Sequence, residues 1–208
     1  MTTVLITGFG HFPGAPFNPS RPLALAVAKR RRPALADVRR AVHIFETSYA
    51  TVDCDLPKLI AQHKPDIVLM FGLAARTAHV RIETRARNAM SILFPDVSGR
   101  RPNQRAIAPG KPDARGTAQF ARLLGAARTS GARSRLSHDA GRYLCNYVYW
   151  RALEASRSGT PLAQFIHIPW VPIVKRPPGR KPRMSHAALA RAGEAILLAL
   201  LTAHRRLG

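Results

Sequence analysis

Cysteine is scarce in this sequence: among its 208 residues, only Cys54 and Cys145 carry a thiol. Two cysteines cannot form a disulfide framework or a four-cysteine zinc site. Long apolar runs are lacking as well, since the stretch that begins at Ala195 falls far short of the ~20 residues that a membrane-spanning helix needs. The N-terminus also lacks the basic and apolar segments of a secretory signal. These absences predict a cytoplasmic protein without a membrane segment.

Acidic side chains are few, 11 against 33 Lys and Arg, so the formal net charge is +22. Such a charge attracts nucleic acids and other polyanions. The basic residues are nevertheless spread in short runs, such as residues 29–32 and 175–183, and no zinc knuckle, RNP-type strand or basic leucine zipper accompanies them. The composition indicates nonspecific polyanion binding, and it leaves open the hypothesis of a non-catalytic, nucleic-acid-binding protein.

Strands alternate with helices along the chain. Short apolar runs predict strands over residues 2–7, 38–45, 66–71, 80–86 and 164–168. Apolar residues at helical spacing predict helices between Asn18 and Pro33, over residues 50–62, 118–127 and 140–155, and from Ser185 onward, with long loops over residues 94–113 and 170–182. Strands separated by helices pair in parallel. Residues 1–208 are therefore predicted to form a single-domain, three-layer α/β/α fold with a twisted, mostly parallel central sheet.

Three segments could carry chemistry at the carboxyl ends of these strands. Residues 7–14 form a glycine-rich loop whose Phe9 and Phe12 either line an apolar pocket or belong to the core. Residues 140–146 form a turn that places Cys145 near the start of a helix, where the dipole favours a thiolate, although a lone cysteine is also often a small buried hydrophobe. His167 lies in an apolar strand and needs a partner, because an unpaired buried polar group costs about 1–3 kcal/mol.

The carboxylate for such a site comes from a short list, since the chain has only four glutamates. Glu83 is the one within a predicted strand, so that Cys145, His167 and Glu83 could act as nucleophile, base and orienting group. The alternative is a surface carboxylate that pairs with Arg81, Arg85 and Arg87, which share its face of the strand.

Seven short motifs, in order along almost the whole chain, resemble those of the pyroglutamyl peptidase I family, also called pyrrolidone-carboxylate peptidases. The T-G-F-x-x-F and N-P-S segments correspond to residues 7–12 and 18–20, and P-D-I-V-x-x-x-G-x-A corresponds to residues 65–74. E-x-x-A-x-N begins at Glu83, with P-D-x-x-G following at residues 95–99. The more specific motifs are S-x-x-A-G-x-[FY]-x-C-N, which spans residues 137–146, and F-I-H-I-P-x-x-P, which spans residues 165–172.

This resemblance implies a cysteine ω-peptidase that removes an N-terminal pyroglutamyl (5-oxoproline) residue from peptides through a thioester on Cys145. By position, Cys145 is the nucleophile, His167 the general base and then acid, and Glu83 its orienting partner. The family's pocket positions fall on Phe9, Phe12, Thr47, Phe94, Tyr143 and Leu144. The expected partners are a peptide substrate with a blocked N-terminus and further copies of the chain in a dimer or tetramer. No metal or organic cofactor is expected.

The chain departs from the family pattern close to these positions. The family commonly has Arg directly after the catalytic Glu, where this chain has Thr84, and another Arg just before the position of Phe94, where it has Leu93. A Gln that often follows the central-strand Gly is replaced by Leu73. These changes add a further hypothesis, a cysteine hydrolase of the same fold with an altered substrate. They also raise the question of whether another arginine, such as Arg76, Arg85 or Arg142, supplies the missing charge.

Overall fold

Eight strands form the framework of the part of the chain that the structure describes. The computed structural model describes residues 1–12, 17–156, 161–171 and 184–206. The strands are β1 (Thr2–Phe9), β2 (Val38–Phe45), β3 (Ile67–Leu73), β4 (Val80–Glu83), β5 (Arg85–Ala86), β6 (Ala114–Arg115), β7 (Ser134–Ser137) and β8 (Leu162–Ile168). Six of them form the central sheet in the order β2-β1-β3-β8-β4-β7, and β5 pairs with β6 in a separate two-stranded ribbon.

The central sheet is mostly parallel, as the sequence predicts. The pairs β1–β2, β1–β3 and β3–β8 are parallel, whereas β4 runs antiparallel to β8 and parallel to β7. The reversal has a simple cause: only residues 74–79 connect β3 to β4, and a parallel crossover needs a dozen or more residues.

Among the described residues, five helices cover the two faces of this sheet: α1 (Ser20–Ala28), α2 (Tyr49–His63), α3 (Phe120–Thr129), α4 (Leu144–Ser156) and α5 (His186–His204), with a short 3-10 turn at Pro33–Leu35. Alternate residues of β1 and β3 point to opposite faces. Val4 and Ile6 join one core with α1, α3 and α5, and Leu5 joins a second core with α2 and α4. The three-layer α/β/α prediction is thereby confirmed.

By length and composition alone, α5 is apolar enough to cross a membrane. Most of it is buried within the protein, and Leu189, Ile196, Leu197 and Leu200 belong to the core beneath the sheet. Its apolar side chains are thus those of a core helix.

Several boundaries differ from the sequence-based expectation. The strand predicted over residues 80–86 breaks at Thr84, after which the chain leaves the central sheet and forms β5. The helix predicted from residue 140 begins at Leu144, because Gly141 adopts a φ of 88° and turns the chain first. β7 was not predicted, since its sequence Ser-Arg-Leu-Ser has no apolar run. Most of the predicted 170–182 loop and the end of the 7–14 loop lie outside the described residues.

Candidate active site

His167 lies at the centre of the sheet, between two strands of opposite direction. On β8 it is in register with Gly72 of β3 on one side and with Arg81 of β4 on the other. Its side chain is only 7% exposed, and Nδ1 lies 2.8 Å from Oε1 of Glu83. The strand histidine therefore has the partner that its burial requires, and Nδ1–H donates to the carboxylate.

Glu83 ends β4 and is fully buried, so its interpretation as a surface carboxylate is wrong. Its backbone carbonyl accepts hydrogen bonds from Tyr149 Oη at 3.0 Å and from Gln164 Nε2 at 2.9 Å. Two buried donors from α4 and β8 thus fix the peptide from which the carboxylate projects. Oε2 of Glu83 has no hydrogen-bond partner among the described residues.

Cys145 is the second residue of α4 and is partly exposed. Its sulfur lies directly over the backbone of Gly72, because a Cβ built at Gly72 would be 2.8 Å from Sγ. The thiol also interacts with the His167 imidazole, and this interaction raises the pKa of the imidazole. The first N–H groups of a helix have no partner within the helix, so the start of α4 offers donors next to the sulfur.

The protonation of His167 reflects its two partners. Burial alone would lower the pKa of the imidazole, but hydrogen bonds and charge interactions with Cys145 and Glu83 outweigh it and raise the pKa to about 9. The arrangement therefore favours an imidazolium ion between two groups that can each carry a negative charge. Such a pair can deliver a nucleophilic sulfur and a proton donor at neutral pH.

The residue after Cys145 ties the helix to the following wall of the site. Asn146 is fully buried, and its side-chain oxygen accepts from the N–H of Arg87 at 2.7 Å. Its amide nitrogen donates to the carbonyls of Arg87 and Ala89 at 2.8 and 3.0 Å. The C-N pair of the sequence motif thus joins the start of α4, where Cys145 lies, to the segment that leads from Glu83 into the long loop.

A second polar centre, Asp96, holds the far part of that loop. Its carboxylate accepts from the backbone N–H groups of Tyr49, Ser98 and Arg100 at 3.2, 3.0 and 2.9 Å. Burial opposes the charge of Asp96, but these bonds and one from the Ser98 hydroxyl keep its pKa below the ordinary value. The loop is thereby anchored to the start of α2.

The expected pocket residues fall into two groups. Phe9 and Leu144 are almost completely buried in the core shared with α2 and α4, and Phe9 packs against Phe45 with ring centroids 5.9 Å apart. Phe12 is half-buried, whereas Phe94 is 61% exposed. The two phenylalanines of the first loop therefore differ, one being a core residue and the other reaching the surface.

Thr47 and Tyr143 are fixed by hydrogen bonds to loops. Thr47 is buried and donates to the carbonyl of His11 at 2.7 Å. Tyr143 donates to the carbonyl of Pro95 at 2.7 Å, and burial raises the pKa of its phenol to about 12, so it stays a neutral donor. This bond places the segment carrying Phe94 beside the turn that precedes Cys145.

The N-P-S segment has a structural explanation. Phe9 N–H donates to the Ser20 hydroxyl at 3.0 Å, and Asn18 donates to the carbonyl of Gly10 at 2.9 Å. A Cβ at Gly8 would lie 2.7 Å from the carbonyl oxygen of Ser20. The first glycine therefore allows the start of α1 to approach the end of β1, which holds the loop in place.

Two residues at the site were not singled out as functional from sequence. Gly72 provides bare backbone beneath the Cys145 sulfur, and Arg81 contacts the Glu83 carboxylate at 3.1 Å. The two-residue spacing between Arg81 and Glu83 is a sequence signal for Arg81. Arg85 has the same spacing on the other side of Glu83, so the spacing alone does not distinguish the two arginines. Arg85 instead pairs with Asp113, because the strand breaks between them.

No group of three or more His, Cys, Asp or Glu side chains that could hold a metal ion occurs within residues 1–12, 17–156, 161–171 and 184–206.

Comparisons with known proteins match nearly the whole chain to pyroglutamyl peptidases, also named pyrrolidone-carboxylate peptidases. The family model for pyroglutamyl peptidase matches residues 2–204. The pyrrolidone-carboxylate peptidase of Thermococcus onnurineus is 31% identical over 206 residues, covering 96% of this chain and 99% of the relative, and that of Gloeobacter violaceus is 30% identical over 197 residues, covering 93% and 94%. The solved structure of pyrrolidone carboxyl peptidase from Thermococcus litoralis is similar with a TM-score of 0.88 at 28% identity, covering 100% of this chain and 97% of that chain.

Proposed function

Because the chain belongs to the pyroglutamyl peptidase family, we propose that Cys145, His167 and Glu83 are its nucleophile, its general acid–base and its orienting carboxylate. The protein is a cysteine peptidase that removes an N-terminal pyroglutamyl residue from peptides. The observation that carries the residue assignment is the buried 2.8 Å contact between His167 Nδ1 and Glu83 Oε1, with the Cys145 thiol at the same imidazole.

The reaction follows from this order of groups. The Cys145 thiolate attacks the pyroglutamyl carbonyl, and N–H groups at the start of α4 stabilise the oxyanion. The C–N bond then breaks as His167 donates its proton to the leaving amine, which frees the shortened peptide and leaves a thioester on Cys145. His167 next removes a proton from water, whose oxygen attacks the thioester. Pyroglutamic acid departs, and the proton returns to the Cys145–His167 pair.

The blocked residue of the substrate is a neutral lactam, which suits an apolar wall with a few hydrogen-bonding groups. We assign this role to the family's pocket positions, with half-buried Phe12 and exposed Phe94 forming the accessible part. Thr47 and Tyr143 are bonded to the backbone of neighbouring loops, and they support the wall. Phe9 and Leu144 are buried behind it.

The test is the release of a fluorogenic amine from a pyroglutamyl amide. Cys145→Ser is expected to lose turnover, whereas Cys54→Ser is expected to keep it, because Cys54 is exposed on α2. An alanyl amide of the same fluorophore is the substrate control. Turnover of the alanyl amide alone would point to a hydrolase with an altered substrate, and full activity of Cys145→Ser would exclude the assigned nucleophile.

The net charge of +22 supports a second property, weak and sequence-independent binding of nucleic acid. Binding that survives ~0.5 M salt would contradict this, because phosphate contacts weaken steeply with salt. We further propose that the chain folds as one domain and is located in the cytoplasm. We also propose that it forms a dimer or tetramer, and light scattering would test this oligomeric state.

A further inference from the structure

The carboxylate of Glu83 has a second partner that the reaction sequence above does not use. Arg81 Nε lies 3.1 Å from Oε1, the same oxygen that contacts His167 Nδ1 at 2.8 Å. The Glu83 side chain is fully buried, whereas 23% of the Arg81 side chain is exposed. One carboxylate oxygen therefore joins a positive charge near the surface to the buried imidazole.

The strand pairing explains why these three groups meet. Arg81 and Glu83 are two residues apart on β4, and side chains at that spacing share a face of the sheet. Arg81 is also directly opposite His167 in the antiparallel pair of β4 and β8. Long side chains reach both direct and diagonal neighbours across such a pair. The contact is thus a consequence of the sheet register and not of two flexible surface chains.

The guanidinium of Arg81 is also held from its outer side. Its Nε and Nη2 lie 3.1 and 2.6 Å from the Ser137 hydroxyl, and Nη2 donates to the carbonyl of Asp139 as well. Ser137 ends β7, and Asp139 lies in the turn that precedes the helix of Cys145. Because the planar guanidinium has its donors in a fixed fork, these acceptors determine where its charge lies.

Arg81 is the one Lys or Arg side chain that contacts the Glu83 carboxylate in the part of the chain that the structure describes. Arg85 and Arg87 pair with other carboxylates. Other charged or titratable residues lie around the cluster in the described chain: His79 before β4, Arg133 and Arg135 near and on β7, His138 and Asp139 after β7, His167 on β8, and Cys145 and Tyr149 on α4.

We propose that Arg81 is a positioning residue. Its fixed positive charge stabilises the ionised carboxylate of Glu83 beside His167 and allows the Cys145 thiolate to form at lower pH. This inference rests on the proposed function. A positive charge favours the form of a neighbouring cluster that holds fewer protons. Loss of that charge therefore requires a higher pH to form the thiolate, even though Glu83, His167 and Cys145 are all still present.

The test compares Arg81→Gln and Arg81→Lys with Arg135→Gln, which removes a charge from the exposed residue paired with Arg81 on β7. The rate of alkylation by iodoacetamide is measured against pH. All variants carry Cys54→Ser, because Cys54 is exposed with Lys58 Nζ 3.0 Å from its sulfur and would react too. The pH dependence of kcat/KM for a pyroglutamyl amide is measured in parallel.

For Arg81→Gln, we expect the midpoint of alkylation to move up by about one pH unit, the lower end of what one neighbouring charge produces. Its kcat/KM should fall about tenfold below the midpoint and recover above it. Arg81→Lys keeps the charge and should keep the midpoint, as should Arg135→Gln. A uniform loss of activity with an unmoved midpoint in Arg81→Gln would overturn the proposal.

If Arg81→Gln does not fold, Arg81→Lys still allows the proposal to be refuted. A midpoint that moves upward although the charge is kept would show that Arg81 acts through packing and would overturn the proposal. Failure of the proposed function has a different signature, since a wild-type protein without pyroglutamyl turnover still yields the alkylation midpoints. The two ideas can therefore fail separately.

Discussion

Replacing Gly72 by Ala should disable the nucleophile while leaving the rest of the fold in place. The added Cβ would lie 2.8 Å from Cys145 Sγ and 2.6 and 3.0 Å from two ring atoms of Phe165. Ordinary contacts between heavy atoms are about 3.5–4.0 Å, so the sulfur and the ring must each move by roughly 1 Å.

Both parts of the expected effect have a known scale. Forcing an extra methyl group into a packed core costs about 1–3 kcal/mol of stability. A displacement of about 1 Å at a reacting group can cost ~10²-fold in rate. We therefore expect Gly72→Ala to unfold at lower denaturant concentration and to lose about a hundredfold in kcat/KM per folded molecule, with slower alkylation of Cys145.

Two other glycines provide matched controls. Gly193→Ala creates a similar clash away from the site, with its Cβ 2.7 Å from Val27 Cγ2, and should lose stability but keep the kcat/KM of the folded fraction. Gly125 lies in α3, where an added Cβ would meet nothing within 4 Å. Gly125→Ala should therefore raise the free energy of unfolding by about 0.5–1 kcal/mol. Wild-type kcat/KM in folded Gly72→Ala would refute the close approach of sulfur and backbone.

Three further outcomes follow from the site. In the proposed reaction His167 holds the proton for the leaving amine, so kcat/KM should fall as pH rises through about 9. Glu83→Gln should move this fall to lower pH, and an unmoved basic limb of the pH profile would contradict the pairing of Glu83 with His167. Asp96→Ala should lower the free energy of unfolding, measured with denaturant, by about 1.5–3 kcal/mol. Because the pKa of Asp96 is lowered in the folded state, the wild type loses stability as pH falls below 4, and the variant should lose less. EDTA should leave turnover of a pyroglutamyl amide unchanged; loss of activity restored by zinc would refute a metal-free reaction.

The inner strands could be predicted because their signal is local. The inner strands β1 and β3 end only two residues beyond their apolar runs, and the edge strand β2 also spans Val38–Phe45 as expected. A strand buried on both faces has to be apolar throughout, so its sequence reveals it. β7 could not be found in this way, because it has only four residues, of which two are exposed, and no apolar run.

The partners of the functional groups depended on where the strands stop. Arg81, Arg85 and Arg87 were equivalent neighbours of Glu83 in the sequence, each at an even spacing. The break at Thr84 leaves only Arg81 on the same strand as the carboxylate, and the other two pair with Asp113 and Asp139. A strand ends where its backbone groups no longer have hydrogen-bond partners on a neighbouring strand, and side-chain periodicity does not predict that point.

The sequence by itself determined which residues are the candidates for the chemistry: one motif cysteine at the start of a helix, one histidine in an apolar strand and one glutamate in another. Residue type and local pattern are enough for that conclusion, since they decide which groups can be nucleophile, base and carboxylate. Only the tertiary structure decided that the sulfur of Cys145 rests on the bare backbone of Gly72 and that Arg81 touches Glu83. Both contacts join residues through sheet register and helix packing, and these depend on the whole chain at once because neighbouring strands come from distant parts of the sequence.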